Sequence, residues 1–337
     1  MSHITLAHVI LAQGNGGRLM RQLIEEVFTA ELANPVLDTQ ADASSLPPMD
    51  GELMMTVDSF TVSPLEFPGG SIGSLAIHGT VNDLAVSGAV PHFLSLSAII
   101  EEGLELDTLR RIIHDMAEAA HTANVQIVCG DTKVVPRGEG SGVYLTTTGI
   151  GARDRDLQLG LHSIQDGDRI LVSGPVGDHG AAIMLAREQF GLKGELQSDA
   201  NNVLDLCQAL YGLSGLRFMR DPTRGGLATV LHEIQHATDF GIRIQQEHIP
   251  VNETVQSLCE ILGYDPLFMA CEGRVVAVIA EEQADEALSR WHNIKNGHEA
   301  RSIGKITSGL SRVVMETELG GERILEELED DPLPRIC

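Results

Sequence analysis

LDTLRRIIHDMAEAAHTANVQIVCGDTK, residues 106–133, is the stretch on which the fold class turns. Leu106, Leu109, Ile112, Ile113, Met116 and Ala120 recur at intervals of three and four, which predicts an amphipathic helix over 106–123. Asp107 stands where it could cap that helix. The mostly apolar run Val125 to Cys129 follows and predicts a buried strand leading into Gly130-Asp131-Thr132-Lys133. A helix feeding directly into a buried strand points to mixed α/β architecture.

The same alternation extends outward. A glycine-rich loop, Gln13-Gly14-Asn15-Gly16-Gly17, precedes an expected helix from Arg18 to Thr29, and residues 34–50 are polar and Pro-rich, as in a connector. Strands are expected at Leu53–Val57 and Val143–Thr147. The weakly charged stretch from Gly69 to Ile100 holds His78, Asn82, Asp83 and Pro91, and fits protein interior rather than a membrane helix. After about residue 155 the pattern restarts. Strands are expected at Arg169–Ser173, Ile242–Gln246, Arg274–Ala280 and Arg312–Glu316, with helices at Ala181–Gln189 and Leu227–Thr238. Gly177-Asp178-His179-Gly180 fits a strand-to-helix turn. The expectation is a two-domain α/β (α+β) protein: an N-terminal segment 1–40, a domain 41–155, a second domain 156–325 and a tail 326–337.

Charge limits the partners. Lys and Arg number 23 against 48 Asp and Glu, a formal net charge of -25, which argues against binding nucleic acid or an anionic membrane. A polyanionic substrate would need metal ions or backbone amides to neutralise it. The five cysteines (Cys129, Cys207, Cys259, Cys271, Cys337) are odd in number and scattered, without a CxxC pair, so a reducing cytoplasm is expected. The apolar run Ile4 to Ala12 lacks the basic flank of a signal peptide and is too short to span a bilayer. Cys337 follows an acidic, two-proline stretch and Pro334-Arg335-Ile336. Prolines and like charges disfavour helix there, and Asp331 to Cys337 fully extended reaches roughly 20–25 Å. That suggests a thiol on a swinging arm.

Asp58, Asp83, Asp131 and Asp221 each adjoin glycine or small polar residues at expected strand or loop ends. Carboxylates of this kind suit Mg²⁺ with a nucleotide, although singly each also fits a turn or cap aspartate. Gly14-Asn15-Gly16-Gly17 and Thr223-Arg224-Gly225-Gly226 each precede an expected helix, where backbone amides can approach phosphate. Lys133 could neutralise a transferring phosphate. Glu272, before Gly273, could act as a general base if it lies in a cleft. His232-Glu233-Ile234-Gln235-His236 spells HExxH, but no third ligand follows at a protease spacing, so ordinary, partly exposed histidines are expected.

Together, Gly14–Gly17, Thr56-Val57-Asp58-Ser59-Phe60, Phe67-Pro68-Gly69-Gly70, Gly79–Ala89, Gly130–Val135, Gly177–Gly180, Arg220–Gly226 and Pro334-Arg335-Ile336-Cys337 resemble the HypE family of hydrogenase maturation proteins. That family sits in the ATP-using superfamily of aminoimidazole ribonucleotide synthetase, selenide water dikinase and thiamine monophosphate kinase. The resemblance implies an aminoimidazole ribonucleotide synthetase-like fold whose N-terminal domain dimerises into a β-barrel. It implies an ATP-dependent dehydration of a carbamoyl group carried on Cys337 to a thiocyanate, supplying cyanide for [NiFe]-hydrogenase iron. HypF would donate the carbamoyl group, and the HypC–HypD complex would accept the cyanide. Asp58, Asp83, Asp131 and Asp221 would hold Mg²⁺. ATP would contact Gly14, Asn15, Gly16, Gly17, Asn82, Thr132, Arg224, Gly225 and Gly226. Cys337, Glu272 and Lys133 would be catalytic, and Arg335 would help dock the tail. Two positions depart from the family pattern: Gln13 replaces a histidine, and Cys271 an asparagine. A sibling kinase or synthetase and a non-catalytic thiol carrier are the alternative readings.

Overall fold

The structure, a computed structural model, describes residues 6–39, 41–187 and 195–328; Lys133, Glu272 and the four aspartates fall within this range, Arg335 and Cys337 outside it. The N-terminal helix begins as α1 (Arg18–Leu23), widens to a π-helical stretch over Ile24–Thr29 and ends as α2 (Ala30–Leu32). There follow β1 (Glu52–Phe60), the pair β2 (Glu66–Phe67) and β3 (Gly70–Ser71), α3 (Ile72–Val86), β4 (Ala89–Glu101), α4 (Leu106–Thr122), β5 (Gln126–Val135) and β6 (Val143–Arg153). The long strands form one sheet, ordered β1-β6-β4-β5. Within this sheet, among the described residues, only β4 and β5 pair in parallel. A parallel pair needs a crossover, and α4 is that crossover.

The stripe expected of α4 is buried from Leu106 to Ala120. Each such large side chain contributes roughly 1.5–3 kcal/mol on burial. Asp107 does not cap the helix. Glu105 occupies the N-cap position without a side-chain bond, and Asp107 instead pairs with Arg110 at 2.8 Å within the first turn. β5 runs on to Val135, so Gly130-Asp131-Thr132-Lys133 lies inside a strand rather than after one.

β1 inverts the usual alternation. Leu53, Met55 and Val57 are 63%, 72% and 60% exposed, while Phe60 on the other face is buried among the residues of α3 and α4. An edge strand with apolar residues turned outward leaves an open apolar face.

The second half contains β7 (Arg169–Val172), α5 (Asp178–Ala186), α6 (Leu204–Tyr211), β8 (Leu216–Arg220), α7 (Gly226–Ala237), β9 (Gly241–Gln245), α8 (Glu253–Leu262), β10 (Val276–Ile279), α9 (Ala284–His292), β11 (Arg301–Thr307), β12 (Val313–Glu316) and β13 (Glu322–Ile324). Its sheet is ordered β13-β12-β9-β11-β7-β10-β8. Residues alternate between two cores. Ile170, Val172, Val276 and Val278 meet Leu227, Leu231 and Ile234 of α7, whereas Leu171, Ala277 and Ile279 meet Leu206, Leu210 and Trp291 of α6 and α9. Helices thus cover both faces, which is why these strands are nearly continuous apolar runs.

α3 joins the halves. Ile72, Leu75 and Ile77 lie in the first core, while Ala85 and Val86 lie in the core of α6 and α9. Among the described residues, no helix is long and apolar enough to cross a membrane.

Candidate active site

Three of the four aspartates, with Glu272, converge where the two halves meet. Thr56 and Asp58 stand two residues apart on β1 and so share the face toward α3. Thr56 Oγ1 donates to Asp83 Oδ2 on α3 at 2.8 Å. Gly79, one turn before Asp83, permits this approach: a Cβ there would lie 2.7 Å from the Phe60 ring and 3.6 Å from Asp58 Oδ2. Asp221 follows β8, and Glu272 precedes β10, the next strand in the sheet.

The electrostatics register the same cluster. Burial holds the Asp58 carboxyl above the usual range. Asp83 is raised by burial and by the Asp58 charge, against its bond from Thr56 and the nearby Arg220 and Arg224. Burial, then the Asp83 charge, pushes Asp221 up to about 7. Glu272 is likewise raised well above its ordinary value, by burial and then by the charges of Asp221, Asp199, Asp58 and Asp83. Buried carboxylates that repel one another suit a divalent cation, a hard ion that takes oxygen ligands.

Asp131 does not join them. Its Cα partner on β4 is Ser97, which pairs on to Thr146 and Ser59. Asp58 belongs to the adjacent row with Thr147 and Leu96, whose side chains are buried toward α3. Neighbouring rows face opposite ways. Asp131 therefore projects from the open face shared with Leu53, Met55 and Val57, three strands from β1. There it pairs with Lys133, Asp131 Oδ2 to Nζ at 3.1 Å, and both are well exposed. Thr132 points the other way and is buried, its hydroxyl without a partner among the described residues. Gly14 packs on Val134 of β5, so the exposed Asn15, Gly16 and Gly17 also lie at this far edge of the sheet. Local sequence gave all four aspartates the same appearance; strand parity separates one from the rest.

Asn82 serves as a clamp. Its Nδ2 donates to the backbone oxygens of Asn201 (2.9 Å) and Glu272 (3.1 Å), and its Oδ1 accepts from Val203 N (2.9 Å). Both amide protons are thereby used, and the carboxylate-bearing turn is tied to α3. Beyond it lies a network that sequence reading missed. Asp199 accepts from the amides of Glu272 (3.1 Å) and Gly273 (3.2 Å), and Arg274 stands 3.5 Å from both Asp199 and Asp178. Asp178 in turn accepts from Asn252 Nδ2 at 2.7 Å.

The turn before α7 is built on Gly225 and Gly226, at φ +73° and +60°. The amides of Thr223 and Gly226 close the turn onto Asp221 O and Thr223 O. Arg224 is exposed, and its charge lowers both Asp58 and Asp83. On α7 itself the HExxH pair differs from expectation: His236 is half exposed, but His232 is buried.

A cavity of about 680 Å³ lined by Gln246, Glu253, Gln256, Asp265 and Arg323, among others, shares no residue with the carboxylate cluster. Chemistry rather than volume marks the site.

Comparison with known proteins places the chain. Models of the N-terminal and C-terminal domains of AIR synthase related proteins match residues 40–152 and 165–315. The carbamoyl dehydratase HypE of Azotobacter vinelandii is 43% identical over 341 residues, covering 100% of both chains. The chain belongs to the HypE family. A crystal structure of the hydrogenase maturation protein HypE in complex with ATP superposes with a TM-score of 0.92 at 42% identity, covering 97% of this chain and 99% of that one. In a HypE–HypF complex the corresponding values are 0.80, 41%, 91% and 99%.

Gln13 and Cys271, the two positions expected to depart from the family pattern, each have a local role. Gln13 is buried, and its Oε1 accepts from Ile10 N at 3.0 Å, bracing the turn before the glycine loop. Cys271 is buried, and its Sγ accepts from Gly177 N at 3.1 Å.

Proposed function

We propose that this chain is an ATP-dependent carbamoyl dehydratase that converts an S-carboxamide on Cys337 to a thiocyanate for the iron of [NiFe]-hydrogenase. The observation that carries the reading is the convergence of Asp58, Asp83, Asp221 and Glu272 in a HypE-family chain. Asp58, Asp83 and Asp221 would hold Mg²⁺, which supplies neutralising charge at the phosphates of ATP.

The chemistry requires two steps. The amide oxygen of Cys337–S–C(=O)NH₂ attacks the γ-phosphorus of ATP, and the bond to ADP breaks. The oxygen, a poor leaving group as it stands, becomes phosphate. One N–H proton is released to solvent as the phosphorylated carbon forms C=N. A base then removes the second N–H proton, the C–O bond breaks, phosphate departs and S–C≡N remains. Glu272 suits that base, because a carboxylate whose pKa is raised by burial is a stronger proton acceptor once ionised. Arg224 would offset charge at the phosphates, and Asn82 and Asp199 would hold Glu272 in place.

Asp131 and Lys133 require a second copy. The open face carrying Leu53, Met55 and Val57 fits a homodimer in which two four-stranded sheets close into a barrel, and these two residues would reach the nucleotide across that interface. The divisions 1–40, 41–155, 156–325 and 326–337 follow from the same reading, with the thiol arm last. HypF, which accompanies HypE in a solved complex, would load Cys337; the HypC–HypD complex would take the cyanide; the setting would be cytoplasmic.

Intact-protein mass after incubation with HypF, carbamoyl donor and ATP tests this reading. The expected record is gain of a carbamoyl mass, then loss of one water. Cys337→Ala should show neither and still bind ATP. A carbamoylated protein that never loses water in the presence of ATP overturns the proposal.

A further inference from the structure

The HExxH segment acquires a third donor from a distant part of the chain. His232 and His236 lie one turn apart on α7, their ring centroids 6.1 Å apart. Glu327, beyond β13, brings its Oε2 to 3.5 Å from His236 Nε2. One ligand atom from each of His232, His236 and Glu327 falls within a 4.8 Å span. His232 is 7% exposed, and its buried Nε2 has no hydrogen-bond partner among the described residues. A buried imidazole nitrogen left unpaired is costly unless something occupies it.

We propose that His232, His236 and Glu327 form a site for a divalent transition metal, best matched by Zn²⁺. Two imidazoles and one carboxylate are zinc ligands, whereas Mg²⁺ and Ca²⁺ prefer oxygen alone. Bonds near 2.0–2.2 Å in a tetrahedron set ligand atoms roughly 3.3–3.6 Å apart. His236 and Glu327 are already at that separation, and both side chains are 55% exposed, which leaves room to adjust and an open fourth position for water.

The site is not proteolytic. Glu233, the residue that would serve as base in a metalloprotease, is paired with Arg220 Nη2 at 3.1 Å. That pairing leaves the metal with a mechanical role. It fastens Glu327, ten residues before Cys337 (337 − 327 = 10), to the helix that starts just after Asp221. The inference does not rest on the proposed dehydratase activity.

The test uses the full chain, stripped with chelator, desalted and titrated with Zn²⁺ alone against a chromophoric competitor. Wild type and Asp83→Asn should each bind one equivalent. His236→Gln and Glu327→Gln should weaken it at least tenfold and leave the metal-free melting temperature unchanged. Co²⁺ in the same site should give visible bands that both variants lose. The proposal is overturned if wild type retains no equivalent, if both variants bind zinc as wild type does, or if Asp83→Asn loses the same equivalent.

Discussion

Thr56 Oγ1 and Asp83 Oδ2 are hydrogen-bonded at 2.8 Å, joining the edge strand β1 to the helix that passes between both cores. The bond favours the ionised form of a carboxylate that burial and Asp58 both oppose. Asp83→Asn removes one of the mutually repelling charges and one oxygen ligand together. Mg-ATP affinity should therefore fall at least tenfold by calorimetry, while the metal-free protein melts no lower than wild type. Unchanged affinity would remove Asp83 from the nucleotide site.

Asn82 makes three bonds to backbone groups of the other half. At roughly 0.5–1.5 kcal/mol each, Asn82→Ala should cost about 2–4 kcal/mol in denaturant unfolding. Because one bond is to Glu272 O, dehydration rate should fall more than Mg-ATP affinity does. Equal losses in both would mean that Asn82 acts on the nucleotide rather than on the base.

Legibility in the sequence follows the physics of each element. α4 was readable because one face is buried and the other wet, so Leu109, Ile112, Ile113 and Met116 keep a clear period. α3 was not, because it is buried on nearly every side, from Ile72 to Val86, and leaves no polar stripe. β4 was hidden by Pro91 and by the register shift between Pro91 and Phe93, which breaks the alternation. Asp58, Asp83, Asp221 and Glu272 could be named from local context. The displacement of Asp131 depended on which face of β5 it occupies, and the roles of Asp199 and Glu327 on contacts with residues 73 (272 − 199) and 91 (327 − 236) positions away.

Gly226 tests the turn that sets Asp221 ahead of α7. It holds φ +60°, and a Cβ would lie 2.5 Å from the backbone oxygens of both Leu267 and Met269. Neither backbone nor carbonyl can yield cheaply there. Gly226→Ala should cost about 2–4 kcal/mol, read as a lower denaturation midpoint, and should weaken Mg-ATP binding through Asp221. Gly16→Ala is the contrast: at φ +74° but with open space around it, it is expected to cost only about 1 kcal/mol.

The pH dependence separates the carboxylates from the buried histidines. Asp221 moves from 3.8 unfolded up to about 7 folded, by burial first and then by the Asp83 charge. Across that window the folded protein keeps a proton the unfolded chain has released, so this group lowers stability as pH rises from about 4 to 7. His78 and His179 move the other way, from 6.5 down to about 4 and about 3, by burial. They lower stability as pH falls below 6.5. Between 4 and 6.5 the two effects oppose; above 6.5 only the carboxylates remain. Metal-free protein should thus lose melting temperature between pH 6.5 and 7.5, and Asp221→Asn should gain on wild type progressively from pH 4 to 7. Mg²⁺ competes with the same protons, so Mg-ATP affinity should rise across that upper window in wild type and stay flatter in Asp221→Asn. An affinity that declines over the window would show that the cation is not held by this cluster.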